Sequence, residues 1–167
     1  MSPVCVDVYI GLGSNVGDSQ IELATAIKMI SELENCSLIK SSSFYETSPE
    51  GDKKQRNYLN AVVKIKTTIG PDALLAELLL IETQRGRIRQ GKNKPRVLDL
   101  DLLLYGNLSI ANSGLTIPHP RMHLRAFVLE PLIEIDFDLK INGIGLARCL
   151  LSDISGTLVK KLDGKRI

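Results

Sequence analysis

Tryptophan is absent from these 167 residues, and aromatics make up only 4%. That scarcity argues against an RNA-reading sheet, which stacks bases on aromatic rings. Cysteine is sparse as well: Cys5, Cys36 and Cys149 are odd in number, far apart and in no CxxC spacing. They speak against a disulfide framework and a zinc site, and they suit a reducing cytosol. Charge of one sign is not in excess. The formal net charge is +2, which gives no global attraction to nucleic acid or an anionic membrane, so any basic patch is local. No apolar run reaches membrane-span length. The start, MSPVCVDVYIG, lacks the basic residues and long apolar run of a signal peptide. The phosphate loop GxxxxGK[ST] is missing, and GLGSNVG at 11–17 misses the dinucleotide fingerprint by one residue. That segment reads instead as a tight turn between a strand and a helix.

What is present is an ordinary globular composition, 44% hydrophobic and 24% charged, enough for one domain over residues 1–167. Residues 4–10 form a short β-branched run that ends at Gly11, a strand signal. Ser19 and Glu22 make a capping-box pair, and Leu23, Ala26, Ile27, Ile30 and Leu33 recur on one helical face. Residues 38–46 read as a second strand. Residues 59–67 read as a third, with Leu59, Ala61, Val63 and Ile65 alternating against Asn60, Lys64 and Lys66. Gly70 and Pro71 open a second helix, which carries Leu74, Leu75, Leu78 and Ile81 inward and stops near Gly86. Residues 95–105, PRVLDLDLLLY, are the fourth strand. The order is that of an α+β, ferredoxin-like βαββαβ core, a largely antiparallel sheet with helices on one face. Beyond it the pattern predicts a loop, a helix up to residue 135 with Pro131 as a kink, and a short helix in GLARCLLSDI.

Alternation along the fourth strand puts Leu98, Leu100, Leu102 and Leu104 on one face and Val97, Asp99, Asp101, Leu103 and Tyr105 on the other. The two carboxylates then project side by side, roughly 6–7 Å apart at Cα. On a covered sheet they repel and resist desolvation. A hard cation relieves both problems, Mg²⁺ before Ca²⁺ or Zn²⁺. The alternative is a solvated polar face, with each Asp paired to an Arg or Lys. The preceding stretch, ETQRGRIRQGKNKPR, brings Arg85, Arg87, Arg89, Lys92, Lys94 and Arg96 to the aspartates, punctuated by Gly86 and Gly91. Arginine forks bond phosphate oxygens in pairs, so a nucleotide-phosphate site is favoured over an RNA-contacting loop.

Two further segments stand out. Residues 47–63 include a long connection between strands. In it Tyr58 and Asn60 pair an aromatic plate with a side-chain amide on the aspartate face, a combination suited to a flat heterocycle, although a surface Tyr and a turn-stabilising Asn are the plainer reading of these two residues alone. LTIPHPRMHLRAF, residues 115–127, holds His119 between prolines, offers Arg121 and Arg125 to phosphate, and ends on Phe127. A structural His and a core Phe are the plainer readings of those two residues.

The blocks YIGLGSNVGD, SSFYETSPEG…QRNYLNAV, IETQRGRIR…KPRVLDLDLLLYG and LTIPHPRMHLRAFVLEPL occur in that order. Together the chain resembles the 6-hydroxymethyl-7,8-dihydropterin pyrophosphokinase family over residues 8–135. The resemblance implies pyrophosphate transfer from ATP to the pterin's hydroxymethyl oxygen, with AMP released. It implies that Asp99 and Asp101 bind two Mg²⁺ ions, and that Arg87 and Arg96 offset transition-state charge. Tyr58 and Phe127 would sandwich the pterin, Asn60 would bond its edge, and Thr47, Ser48 and Glu50 would line its pocket. Arg87, Arg89, Arg96, His119 and Arg125 would contact or order ATP, with Glu82, Leu102, Leu115 and Thr116 near the nucleoside. It further implies a cytoplasmic monomer acting on small molecules without nucleic acid or membrane. GKNKPR departs from the family in lacking an aromatic before the Pro-Arg pair and in being one residue short. Leu79 and Pro120 also replace residue types common there. The alternative function is a non-catalytic ferredoxin-like module that binds RNA or a small ligand.

Overall fold

The computed structural model describes residues 2–49, 51–88, 91–154 and 158–163. Glu50 and Arg89, both among the expected site residues, lie outside them. The strands are β1 (Val6–Ser14), β2 (Cys36–Ser41), β3 (Tyr45–Thr47), β4 (Tyr58–Thr67), β5 (Asp99–Tyr105), β6 (Ile110–Ala111), β7 (Thr116–Ile117), β8 (Lys140–Ile141), β9 (Gly145–Leu146) and β10 (Val159–Lys161). The helices are α1 (Ser19–Ser31), α2 (Pro71–Gln84), α3 (Ala126–Ile135) and α4 (Ala147–Ser152), with a 3-10 turn at Met122–Leu124. The main sheet runs β10-β3-β4-β1-β5, and β2 also pairs with β4. Every pairing in it is antiparallel. This is the α+β, ferredoxin-like order expected from the sequence.

Helices α1 and α2 cover one face. Leu23, Ala26, Ile27 and Ile30 of α1 and Leu74, Leu78 and Ile81 of α2 pack on Ile10, Leu12, Ala61, Val63, Ile65, Leu98, Leu100 and Leu102. Each of these leucine, isoleucine and valine side chains contributes about 1.5–3 kcal/mol by leaving water. The additional C-terminal elements cover part of the other face. There Val128, Leu129, Leu132 and Ile135 of α3 pack on Tyr9, Val62, Leu103 and Leu104. Pro131 lies inside α3.

Four local expectations are corrected. Strand β1 does not stop at Gly11 but continues to Ser14, because it pairs on both sides, with β4 and with β5. The cap of α1 is Asp18, whose side chain accepts the Ile21 amide. Glu22 is taken instead by Arg85, through two bonds of 2.9 Å. The expected second strand is two strands, β2 and β3, separated at Ser42, Ser43 and Phe44. Glu134 of α3 fills that gap, accepting the Ser43 amide at 3.1 Å, the Ser43 hydroxyl at 2.7 Å and the Tyr45 hydroxyl at 2.5 Å.

The fourth correction concerns β5. Its register to β1 slips by one residue: Ile10 faces Leu102 while Tyr9 faces Leu104. Leu103 is the extra residue of a bulge, which reverses the alternation after it. Leu104 therefore packs under α3, and Tyr105 joins the helix-covered core. There its hydroxyl donates to the Ile69 carbonyl at 2.5 Å. The Leu103 carbonyl receives the His119 amide at 2.9 Å. That bond ties residues 115–127 to the sheet.

Candidate active site

The site begins as a bare strip of backbone. Across the sheet, Asn60 of β4 faces Gly13 of β1, and Gly13 faces Asp99 of β5. One pair further along, Val62, Gly11 and Asp101 are aligned in the same way. Gly11 and Gly13 point no side chain into this row, so the strip between the amide and the carboxylates is open. A Cβ on Gly13 would lie 3.2 Å from Asn60 Oδ1, and one on Gly11 would lie 3.4 Å from Leu103 Cδ1. The alternating glycines of GLG are thus a site signal that reading the segment as a turn missed.

Over this floor lies a cleft of about 250 Å³. Asp99 and Asp101 on β5, with Arg96 before them, lie across β1 from Thr47, Ser48, Tyr58 and Asn60 at β3 and β4, and Arg125 and Phe127 also line the cleft. Of the residues the sequence reading singled out, Arg121 and Lys92 also reach it, and Asn93 is an addition. Asn60 Nδ2 donates to Thr47 Oγ1 at 2.9 Å, which fixes which end of the amide faces the cleft. The Tyr58 hydroxyl donates to the Lys94 carbonyl at 3.2 Å. The Arg125 guanidinium lies over the Phe127 ring at 5.5 Å, within cation–π range.

The two carboxylates are not equivalent. Asp99 is fully engaged: Arg87 Nη1 donates to Oδ1 and Arg96 Nη1 to Oδ2, both at 2.7 Å. Among the described residues, Asp101 has only Arg125 as an ion-pair partner, at 3.9 Å. Burial, and then the neighbouring Asp99 charge, pushes the Asp101 carboxyl up to about 7. An incoming cation or cationic group would reverse that shift. Glu82 sits beneath, 2% exposed. It accepts the Leu100 amide at 2.7 Å and pairs with Arg87 at 2.6 Å. Burial raises its carboxyl, and the Leu100 amide and Arg87 work against that rise. Glu82 thus supports Arg87 from below and is not part of the cleft lining.

Arg87 lines a second recess with Lys92, Lys94 and Arg96. Lys92 and Arg96 border both recesses, so the basic stretch forms the wall between them. His119 follows the cis Ile117–Pro118 peptide. Its Nδ1 accepts the Arg121 amide at 3.2 Å. Burial, then the Arg125 charge, lowers its pKa to about 4. The ring is therefore neutral at pH 7, with its proton on Nε2 as a donor. Leu102 and Leu115 are buried in the helix-side core, and Thr116 is exposed on β7.

Asn15 is a residue the sequence reading passed over. It is 3% exposed. Its Oδ1 accepts the Arg96 amide at 2.8 Å, and its own amide donates to the Arg96 carbonyl at 3.0 Å. Its Nδ2 reaches Gln55 Oε1 at 3.4 Å and the Arg56 carbonyl at 3.2 Å. Nothing in a lone Asn within GLGSNVG signals partners 40 and 81 positions away.

The family profile described as 7,8-dihydro-6-hydroxymethylpterin-pyrophosphokinase (HPPK) matches residues 9–137. The chain is 49% identical over 158 residues to a Haemophilus influenzae protein named 2-amino-4-hydroxy-6-hydroxymethyldihydropteridine pyrophosphokinase, covering 95% of this chain and 99% of that one. A Bacillus subtilis protein of the same name is 43% identical over 127 residues, 76% of each chain. Among solved structures, the fold matches a Plasmodium falciparum HPPK-DHPS with a TM-score of 0.71 at 14% identity. That match covers 91% of this chain and 46% of the Plasmodium chain, so the present chain spans about half of that protein.

Proposed function

Because the chain belongs to the 7,8-dihydro-6-hydroxymethylpterin-pyrophosphokinase family, we propose that its cleft moves the terminal pyrophosphoryl group of ATP onto 6-hydroxymethyl-7,8-dihydropterin. The reaction is a step of folate biosynthesis, and ATP is the co-substrate. The pterin hydroxymethyl oxygen attacks the β-phosphorus and forms the new O–P bond. The bond from that phosphorus to the oxygen bridging the α-phosphorus breaks. AMP leaves with the electron pair, and the hydroxyl proton passes to solvent.

The observation that carries this reading is one cleft holding two unlike half-sites. Tyr58, Phe127 and Asn60 suit a flat heterocycle with a hydrogen-bonding edge, while Arg96, Arg125 and the aspartates suit a metal-chelated polyphosphate. The residues fit Mg²⁺. Among the described residues the cation paired with Asp101 is Arg125, at 3.9 Å, a distance that leaves the carboxylate oxygens open to a metal ion. The all-oxygen donor pair suits a hard ion that takes further ligands from phosphate and water. Asp99 and Asp101 would hold two Mg²⁺ ions, which when bound neutralise phosphate oxygens and steady an in-line displacement. Arg87 and Arg96 orient Asp99 and add positive charge where charge develops. Thr47, through its bond to Asn60, sets the amide that meets the pterin edge, with Ser48 beside it. Glu50 and Arg89 complete the proposed substrate contacts together with His119 as a neutral donor, and Thr116 lies near the nucleoside with Glu82, Leu102 and Leu115 as buried support beneath it. The same reading has the protein act as a cytoplasmic monomer on small molecules, apart from nucleic acid and membrane.

The test is product analysis with ATP and the reduced pterin, with and without Mg²⁺. AMP and the pterin diphosphate should form in equal amounts and only with the metal. Asp99→Ala and Asp101→Ala should each slow turnover by roughly 10²-fold or more. ADP in place of AMP, or full activity in both variants, overturns the assignment.

A further inference from the structure

Asn15 has a partner for each polar atom of its side chain. Its Oδ1 and backbone amide clamp both polar groups of the Arg96 peptide. Arg96 is the residue whose guanidinium grips Asp99 at 2.7 Å. The Nδ2 group faces the opposite way, onto Gln55 and the Arg56 carbonyl. Gln55 passes the connection on, since its Nε2 donates to the Asn93 carbonyl at 2.6 Å. Asn93 is three positions before Arg96, so the bonds close a ring: Asn15 to Gln55, Gln55 to Asn93, along the chain to Arg96, and back to Asn15. Tyr58 joins the same stretch through the Lys94 carbonyl.

We infer that Asn15 is a positioning residue for the transfer, one that sets the Arg96–Asp99 side and the Tyr58 side of the cleft in a single frame through Gln55. The inference rests on the proposed function, since it concerns that reaction's geometry. A buried amide with a partner for each polar atom has one orientation at low cost, and removing it strands several groups. In the proposed reaction the pterin lies by Tyr58 and the polyphosphate by the aspartates, so a residue that ties these two parts of the cleft together governs the alignment of the reacting oxygen and phosphorus. Small errors of alignment act on turnover more than on binding.

The experiment is steady-state kinetics of AMP formation for wild type, Asn15→Ala, Asn15→Asp, Gln55→Ala and the Asn15→Ala/Gln55→Ala pair, with thermal midpoints recorded beside them. Asn15→Ala should lower kcat by roughly tenfold or more, with each KM changed less than about threefold. Asn15→Asp keeps the acceptor for the Arg96 amide and loses the donors to Gln55 and Arg56, and should fall between wild type and Asn15→Ala. The double variant should be no slower than Asn15→Ala, because both substitutions open one ring. A kcat within twofold of wild type in Asn15→Ala overturns the inference, and so do single effects that multiply in the double variant. If Asn15→Ala does not fold, Asn15→Asp and Gln55→Ala decide by the same kcat-against-KM split. Failure of the wild type to form AMP would instead sink the proposed function, so the two outcomes are distinct.

Discussion

Replacing Glu134 with alanine should loosen the join between α3 and the sheet without touching the cleft. The Ser43 amide has no ladder partner, because the strand is interrupted there, and Ser43 is only 6% exposed. Removing the carboxylate strands that amide and takes the acceptor from the Ser43 and Tyr45 hydroxyls. An unpaired buried donor costs about 1–3 kcal/mol. With two hydroxyls partly rescued by water, the sum is about 3 kcal/mol, or a fall in Tm of about 6–12 °C for a chain of this size. Glu134→Gln keeps one acceptor and should lose about half as much. The loss should also depend on pH. Burial acts to raise the Glu134 carboxyl, but hydrogen bonds from Tyr45 and Ser43 and the Lys161 ammonium outweigh it and hold it below its ordinary value of 4.5. A carboxyl depressed in the folded state contributes stability above its unfolded pKa, and that contribution fades as pH falls through the lower folded value. Urea unfolding of wild type and Glu134→Gln should therefore show a gap at pH 7 that narrows below about pH 4.5. An Ala variant within about 0.5 kcal/mol of wild type, the scatter of an ordinary surface change, would refute the reasoning. A gap that does not change with pH would refute the electrostatic part.

Glu82→Ala should destabilise by about 2–3 kcal/mol, from the stranded Leu100 amide and a half-paired Arg87; chemical denaturation measures it, and Glu82→Gln should recover part of the loss. Gly13→Ala should leave the unfolding midpoint nearly unchanged while raising the KM for the pterin several-fold, because the new methyl presses on Asn60 Oδ1 at 3.2 Å. An unaltered pterin KM would mean that Asn60 moves freely, against the tether its Thr47 bond implies.

The sequence was most informative where one residue's environment follows from its near neighbours. Alternation put Asp99, Asp101, Tyr58 and Asn60 on a common face, and β5 and β4 carry them there on either side of β1. It failed where a distant partner decides. Ser42 and Ser43 read as part of a continuous strand, and only Glu134, 91 positions on from Ser43, explains how the chain tolerates the break. Ser19 and Glu22 have capping-box spacing, but Arg85, 63 positions from Glu22, competes for the carboxylate with two charged bonds. Asn15 is the extreme case, for its role exists only once two loops are folded against it. The bulge at Leu103 was equally hidden, since a run of three leucines offers no mark of where the pleat slips.

That bulge lets one strand keep two phases. On the cleft-side face Asp99 and Asp101 occupy alternate positions, and after the slip Leu103 and Leu104 both turn to α3 while Tyr105 turns to the helices. The acidic half is thereby timed to the glycines of β1, and the apolar half to the packing under α3. A chain that had to hold strict alternation through Tyr105 would have to choose between the two timings. Here a single additional residue decouples them, so the chemistry at one end of β5 and the core at the other can each drift in sequence without dragging its neighbour out of step.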